Sequence, residues 1–296
     1  MSDNENLLKK VEELIPEYYG PNCKNETIQF INNVSEYYIE NPEKFVELFN
    51  NLVTTKIKQF KLWILNTLIQ LISKKYQSLQ NITKDNFRQY LINVFSLDFE
   101  KIFDEFFVII KYCELFNNFI FYDFPENNDT IFNDILKNIY ETNDIITKIN
   151  KLFLLLEIFY IFNEEFVQFR HTYNQLQINR SNILKDYMRK NTIQNLLIIL
   201  KEILQNEEYI PSDKKIVQKS IEIISQLIDW IPFEFFYEVL NIILGDLINK
   251  YKYYESCCSV LYSIIKKGME PKLKRTILDQ IHINDLINNI IKSQKK

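Results

Sequence analysis

Arg180, Lys185, Arg189 and Lys190 place four cations in one short stretch, and Lys185 and Arg189, four residues apart, share one face of a helix. Guanidinium forks and ammonium groups displayed together can hold phosphate oxygens or an acidic patch on another protein. Asp186 lies among them and partly neutralises the group, so the same pattern also fits a solvated helix face. A second basic cluster, Lys266, Lys267, Lys272, Lys274 and Arg275, surrounds the corner "KKGMEP". If either cluster meets phosphates, binding falls steeply with salt.

Other chemistry finds little support. Three scattered glycines cannot build a phosphate-binding loop. There is no His-Glu-x-x-His and no Cys-x-x-Cys, and His171 and His282 are the only histidines, neither with a metal-ligand partner at helical spacing. Asp98, Glu100, Asp104 and Glu105 cluster as a solvated helix face would. A Ser or Cys nucleophile needs a positioned base, and two histidines leave few. Cys23, Cys113, Cys257 and Cys258 show no disulfide or metal spacing and read as reduced thiols. No catalytic residue, metal or enzymatic activity is expected. Net charge is −4, divided between a half with 15 basic and 22 acidic side chains (1–150) and one with 20 and 17 (151–296). That asymmetry permits a nucleic-acid or protein partner without requiring either.

The elements that must position these cations are helices. Apolar residues recur at helical spacing, as in Ile57, Phe60, Trp63, Ile64, Thr67, Leu68, Leu71 and Ile72, while period-two alternation is scarce. The chain has no alanine and abundant Asn, Ile, Lys, Tyr and Phe, a skew that A/T-rich codons would produce. In such a chain the Asn-x-Ser/Thr matches at Asn25, Asn33, Asn81, Asn128 and Asn179 arise by chance. Roughly fourteen to sixteen helices follow from the spacing, among them 3–15, 57–79, 98–121, 143–162, 164–175, 179–190, 213–230, 233–250, 252–267 and 271–281. Asn41, Thr83 and Ser212 or Asp213 read as helix caps, with Pro42 in a first turn. Leu152–Phe162 and the run Phe103, Phe106, Phe107, Ile109, Ile110 look apolar on two faces, as in stacked repeats. Helix pairs of about 40 residues suggest an all-α HEAT/armadillo-like solenoid, with an irregular helical domain as the alternative. The polar residues 1–20 fit a capping repeat, whereas the last residues, "NNIIKSQKK", cap weakly, as at a solenoid that continues or is truncated. The start lacks the pattern of a signal peptide, and the apolar run 152–162, broken by Glu157, is too short to span a bilayer, so no membrane insertion is expected.

Three stretches go beyond periodicity: "NRSNILKDYMRKNTIQNLLIILKEIL" (179–204), "VQKSIEIISQLIDWIPFEFF" (217–236) and "SVLYSIIKKGMEP" (259–271). Their order and spacing resemble the exportin-T family of importin-β-type (karyopherin) carriers. The positions carrying the resemblance are Arg180, Ile183 or Leu184, Lys185, Asp186, Met188 and Arg189, then Trp230 and Ile231, then Lys267, Gly268, Met269 and Pro271. The clear resemblance covers about 165–275; "IKQFKLWILNTLIQLISKKYQSL" is similar more loosely. It implies a solenoid over 1–296, with importin-β-like repeats in 1–80 and exportin-type HEAT repeats in 81–296, forming the N-terminal part of a longer architecture. It implies a carrier that binds Ran in its GTP form together with tRNA in the nucleus, releases both in the cytoplasm, and passes nuclear pore proteins. No cofactor of its own is implied, since GTP enters only through Ran. The alternatives are a family carrier of protein cargo or a Ran-independent helical scaffold. On this reading the two basic clusters are the candidate contacts with Ran or nucleic acid.

Two residues carry structural expectations. Trp230 is expected to pack at a helix-to-helix corner that Pro232 reopens. Gly268 is expected to close a helix in the left-handed conformation, so that Gly268→Ala would cost about 1 kcal/mol in strain. Pro271 is expected to open the next helix.

Overall fold

The computed structural model describes residues 3–96, 102–103, 105–168, 172–206, 215–281 and 283. His171, His282, Asp98, Glu100, Asp104, Ser212, Asp213 and the helix expected near 283–293 fall wholly or mainly outside them. Every regular element among the described residues is helical. The α-helices are α1 (Asp3–Tyr18), α2 (Asn25–Glu40), α3 (Phe45–Thr54), α4 (Lys58–Lys75), α5 (Asn81–Asn93), α6 (Phe106–Asp123), α7 (Ile131–Tyr140), α8 (Ile145–Asn163), α9 (Gln175–Asn191), α10 (Ile193–Gln205), α11 (Ile216–Ile228), α12 (Tyr237–Asn241), α13 (Tyr254–Lys266) and α14 (Pro271–Gln280).

The chain divides into two compact units. One comprises 1–162 with 174–184, the other 163–173 with 185–296. The boundary near 80 read from the resemblance thus falls inside the first unit. In that unit α4 packs against α1, α2, α3 and α6. In the second, α11 packs against α10 and α13. Each of these central helices meets its pair partner and a helix of the next repeat, the packing of a HEAT/armadillo-like α-solenoid of antiparallel helix pairs. That is why α4 buries Phe60, Trp63, Ile64, Leu65, Leu68, Leu71 and Ile72, and why Leu152–Leu156, Ile158, Phe159, Ile161 and Phe162 of α8 are all buried. Phe106 and Phe107 depart from the two-faced expectation. They stand in the first turn of α6 and are 58% and 41% exposed, whereas Val108 and Ile109 are buried.

Without alanine, the interfaces are filled by large side chains. Phe87 of α5 lies between Phe45 and Phe49 of α3 and Phe119 of α6, with ring centroids 5.1, 5.2 and 5.2 Å away. Beside this cluster sits a buried ionic network. Arg88 donates through Nε and Nη2 to the two oxygens of Asp123 at 2.9 and 2.8 Å, and Tyr76 donates to Asp123 Oδ1 at 2.5 Å. Asn127 Nδ2 donates in turn to the Tyr76 oxygen at 3.0 Å. Burial disfavours the Arg88 cation, but its hydrogen bonds to Asp123 and Asp85 more than offset this and raise its pKa. Burial, and the proton it donates to Asp123, hold the Tyr76 phenol well above its usual range.

Several helix ends correct the sequence reading. Helix α1 runs through Pro16 to Tyr18 instead of stopping at 15, because proline removes one hydrogen bond while Ile15 stays packed in the core. Asn41 does not cap the following turn; its side-chain amide donates back to Tyr37 O, although Pro42 does open that turn. Thr83 lies within the first turn of α5, which begins at Asn81. Of the expected helix 164–175, the described residues form a wide turn at 164–168 and carry no α-helix at 172–174, while 169–171 lie outside the described residues. The next helix starts at Gln175 because Asn174 and Gln177 form a reciprocal cap: Asn174 Oδ1 accepts from Gln177 N and Gln177 Oε1 accepts from Asn174 N, both at 3.0 Å. The expected helix 233–250 is broken into short turns around α12. Pro271 opens α14 as expected.

Gly268 is not left-handed, and no glycine among the described residues is. The one left-handed residue among them is Lys215, with φ 51°. Helix α13 closes instead on Lys267, which takes an extended conformation (φ −51°, ψ 127°) while its N–H reaches Ser263 O at 2.9 Å. A Cβ added at Gly268 would meet nothing within 4 Å. Gly268→Ala therefore introduces no left-handed strain, contrary to the expectation from the sequence. That substitution should leave the urea midpoint unchanged or raise stability by about 0.4–1 kcal/mol, through the less flexible unfolded chain. Asp123→Ala, which strands a buried guanidinium, should cost about 3–5 kcal/mol in the same measurement. Asp85→Ala, which removes an exposed carboxylate from the same arginine, should cost under about 1 kcal/mol.

Candidate functional site

The sites to be built are the two basic clusters, and the structure divides their members by the work they already do. A helix leaves its last four carbonyls without partners inside the helix. Left-handed C-terminal residues often satisfy them, and none is present among the described residues. Basic side chains take that role at several ends.

Arg180, on α9, reaches the end of α6. Its Nε donates to Phe121 O at 2.5 Å, Nη2 donates to Phe124 O, and Nη1 pairs with Glu126. All three guanidinium nitrogens are engaged within the first unit, and the side chain is largely covered. Lys185 is buried on the same helix. Lys190 is exposed.

Arg189 is half-buried. Nη1 pairs with the exposed Asp186 at 2.7 Å, Nη2 donates to Trp230 O at 3.1 Å, and the guanidinium carbon stands 5.9 Å from the Trp230 ring centre. Lys267, from the second cluster, comes to the same place. Its Nζ donates to Ile228 O at 2.6 Å and to Ile231 O at 3.0 Å. Burial lowers the Lys267 pKa and the nearby Arg189 charge adds to that, while Asp229 and Glu234 act in the opposite sense. The Trp230 indole donates to Asn163 Oδ1 at 3.0 Å. Asn163 was not singled out from the sequence, and a partner 67 residues away carries no sequence signal.

Residues from all three resemblance-bearing stretches therefore converge on the carboxyl end of α11. The field there is negative, since carbonyl oxygens of residues 228, 230 and 231 face the two cations. Those carbonyl oxygens are thus already met by the chain's own cationic side chains.

The remaining members lie near α14. Lys274 Nζ donates to Ile265 O at 2.6 Å and so serves the end of α13. Lys266 is exposed, with Nζ 5.8 Å from the Tyr262 ring centre. Lys272 is exposed, and the exposed Arg275 pairs at a long 4.0 Å with Asp279. Lys190, Lys266, Lys272 and Arg275 are thus the candidates whose charged groups face solvent. Among the described residues no group of three or more His, Cys, Asp or Glu side chains could hold a metal ion, and no helix is long and apolar enough to cross a membrane. Cys113 and Cys257 are buried thiols outside any disulfide, and burial, with the neighbouring Cys258, pushes Cys257 up to about 12.

Comparison with known proteins adds what geometry alone does not. The family model described as "Exportin 1-like protein" matches residues 105–261, reaching well upstream of the stretches that carry the visible resemblance. Exportin-T of Dictyostelium discoideum is 24% identical over 285 residues, covering 95% of this chain and 25% of that protein. Exportin-T of Debaryomyces hansenii is 26% identical over 254 residues, 84% of this chain and 24% of that protein. Exportin-T of Homo sapiens is 24% identical over 130 residues, 43% of this chain and 13% of that protein. The chain spans about a quarter of the length of the first two relatives. A family match over more than half of the chain, on an all-α solenoid whose signature residues meet at one helix end, makes this chain a member of the exportin 1-like protein family, similar within it to the exportins-T.

Proposed function

We propose that this chain serves a karyopherin-type nuclear export carrier whose cargo is tRNA and whose cargo binding is coupled to Ran in its GTP form. The observation that carries the reading is similarity to exportin-T along 95% of the chain, alongside the family match over 105–261. The chain acts by binding and not by catalysis. GTP is held and hydrolysed by Ran, and the carrier shuttles between nucleus and cytoplasm past nuclear pore proteins.

On this reading the cations that serve the cargo are those left facing solvent. Arg180, Arg189, Lys267 and Lys274 are committed to backbone carbonyls. Lys266, Lys272 and Arg275 are solvent-facing and close together in sequence, with the exposed Tyr262 beside Lys266. They are the phosphate-facing set, and Lys190 is a separate exposed cation.

The first test is a pull-down of the purified chain with Ran locked in its GTP or GDP state, each with and without tRNA. GTP-selective capture strengthened by tRNA is expected. GTP-selective capture indifferent to tRNA would favour a family carrier of protein cargo, and capture of neither form would sink a stand-alone carrier. The second test replaces Lys266, Lys272 and Arg275 together by Gln. tRNA affinity should fall several-fold, and the slope of log K against log salt should become shallower by about one for each phosphate that is no longer neutralised.

A further inference from the structure

Lys267 stands in the corner that carries the resemblance, and its ammonium points into the backbone at the end of a neighbouring helix. Helix α13 ends one residue earlier, and the extended conformation of Lys267 turns the side chain back onto α11. There it bridges two carbonyls three residues apart, while Arg189, from an entirely different stretch, takes the carbonyl between them. The same turn is held from inside by two backbone bonds, Trp230 N to Leu227 O at 3.2 Å and Ile231 N to Leu227 O at 2.9 Å. From outside it is held by the indole bond to Asn163. One more polar link, Ser225 Oγ to Ser263 Oγ at 3.0 Å, ties α11 to α13 a turn further in.

We infer that Lys267 and Arg189 form a single charge-dependent clasp on the carboxyl end of α11, which fixes the corner between α11 and α13 and makes Lys267 a positioning residue instead of a ligand contact. The inference does not depend on which partner the chain binds. Two like charges sit together because three carbonyls lie between them, and neither cation alone can serve all three. If either is removed, the turn loosens and the other no longer has fixed partners, so the two effects must not add.

Amide hydrogen exchange on the full chain tests this, read at Trp230 and Ile231 and, as reference, within α10. Lys267→Met keeps the length of the side chain and removes the charge. It should speed exchange at the two corner amides about tenfold and leave α10 unchanged. Lys267→Arg, which keeps charge and donors, should stay within about twofold of the parent. Lys250→Met, at an exposed lysine outside both basic clusters, should leave exchange at the two corner amides unchanged. The double variant Arg189→Met/Lys267→Met should exceed the stronger single variant by no more than about twofold. Multiplicative single effects, equal acceleration throughout the chain, or corner amides indifferent to Lys267→Met would each overturn the clasp. If Lys267→Met proves too unstable to isolate, Lys267→Gln takes its place with the same expected outcomes.

Discussion

A helix cannot end in a protein interior with its last carbonyls unpaired, and the described helices of this chain meet that need without the usual device. No glycine among the described residues takes a left-handed conformation, and the only left-handed side chain among them, Lys215, stands at a helix start. The donors come from elsewhere. Tyr112 serves Leu91 O, Arg180 serves Phe121 O and Phe124 O, Arg189 and Lys267 serve residues 228–231, and Lys274 serves Ile265 O. Each bond closes one helix and at the same time fixes where a second helix lies. The abundance of Lys beside a scarcity of Gly therefore has a structural expression whatever its genomic origin.

The same economy explains the interior polar groups. A solenoid of short helices has many ends per residue, and ends near the core bring charged donors inside. Asp123 illustrates this. It is the last residue of α6, fully buried, and tolerable only because Arg88 and Tyr76 occupy both its oxygens. Asn117, also buried on α6, donates to Ile158 O of α8 at 3.0 Å and so links another pair of helices. Large aromatic rings fill the spaces that alanine would otherwise let helices close more tightly.

Helix spacing was readable from the sequence because burial imposes it: α4 and α11 lie close to where their apolar patterns put them. Helix ends were less readable. The wide turn at 164–168 and the reciprocal cap at 174 and 177 depend on two or three polar atoms, which an apolar pattern does not register. The basic clusters were legible as residues and not as roles. Arg189 and Lys190 are neighbours of the same charge, yet one lies on a carbonyl and the other faces solvent. What separates them is a partner 41 residues away, a distance at which local composition is silent. Gly268 was misread for a related reason. The end of α13 needed no left-handed residue once Lys267 could leave the helix extended.

The direction of these capping bonds has a consequence for how the chain is made. With the exception of Arg189, each of these donors lies later in the sequence than the carbonyl it serves, by 21 residues for Tyr112, 59 and 56 for Arg180, 39 and 36 for Lys267, and 9 for Lys274. A nascent chain leaves the ribosome amino end first, so a helix such as α6 or α11 emerges with its carboxyl end open and waits for the segment that will close it. Translation speed over those intervals, and any factor that shields an exposed helix end meanwhile, thereby becomes part of the protein's physical chemistry.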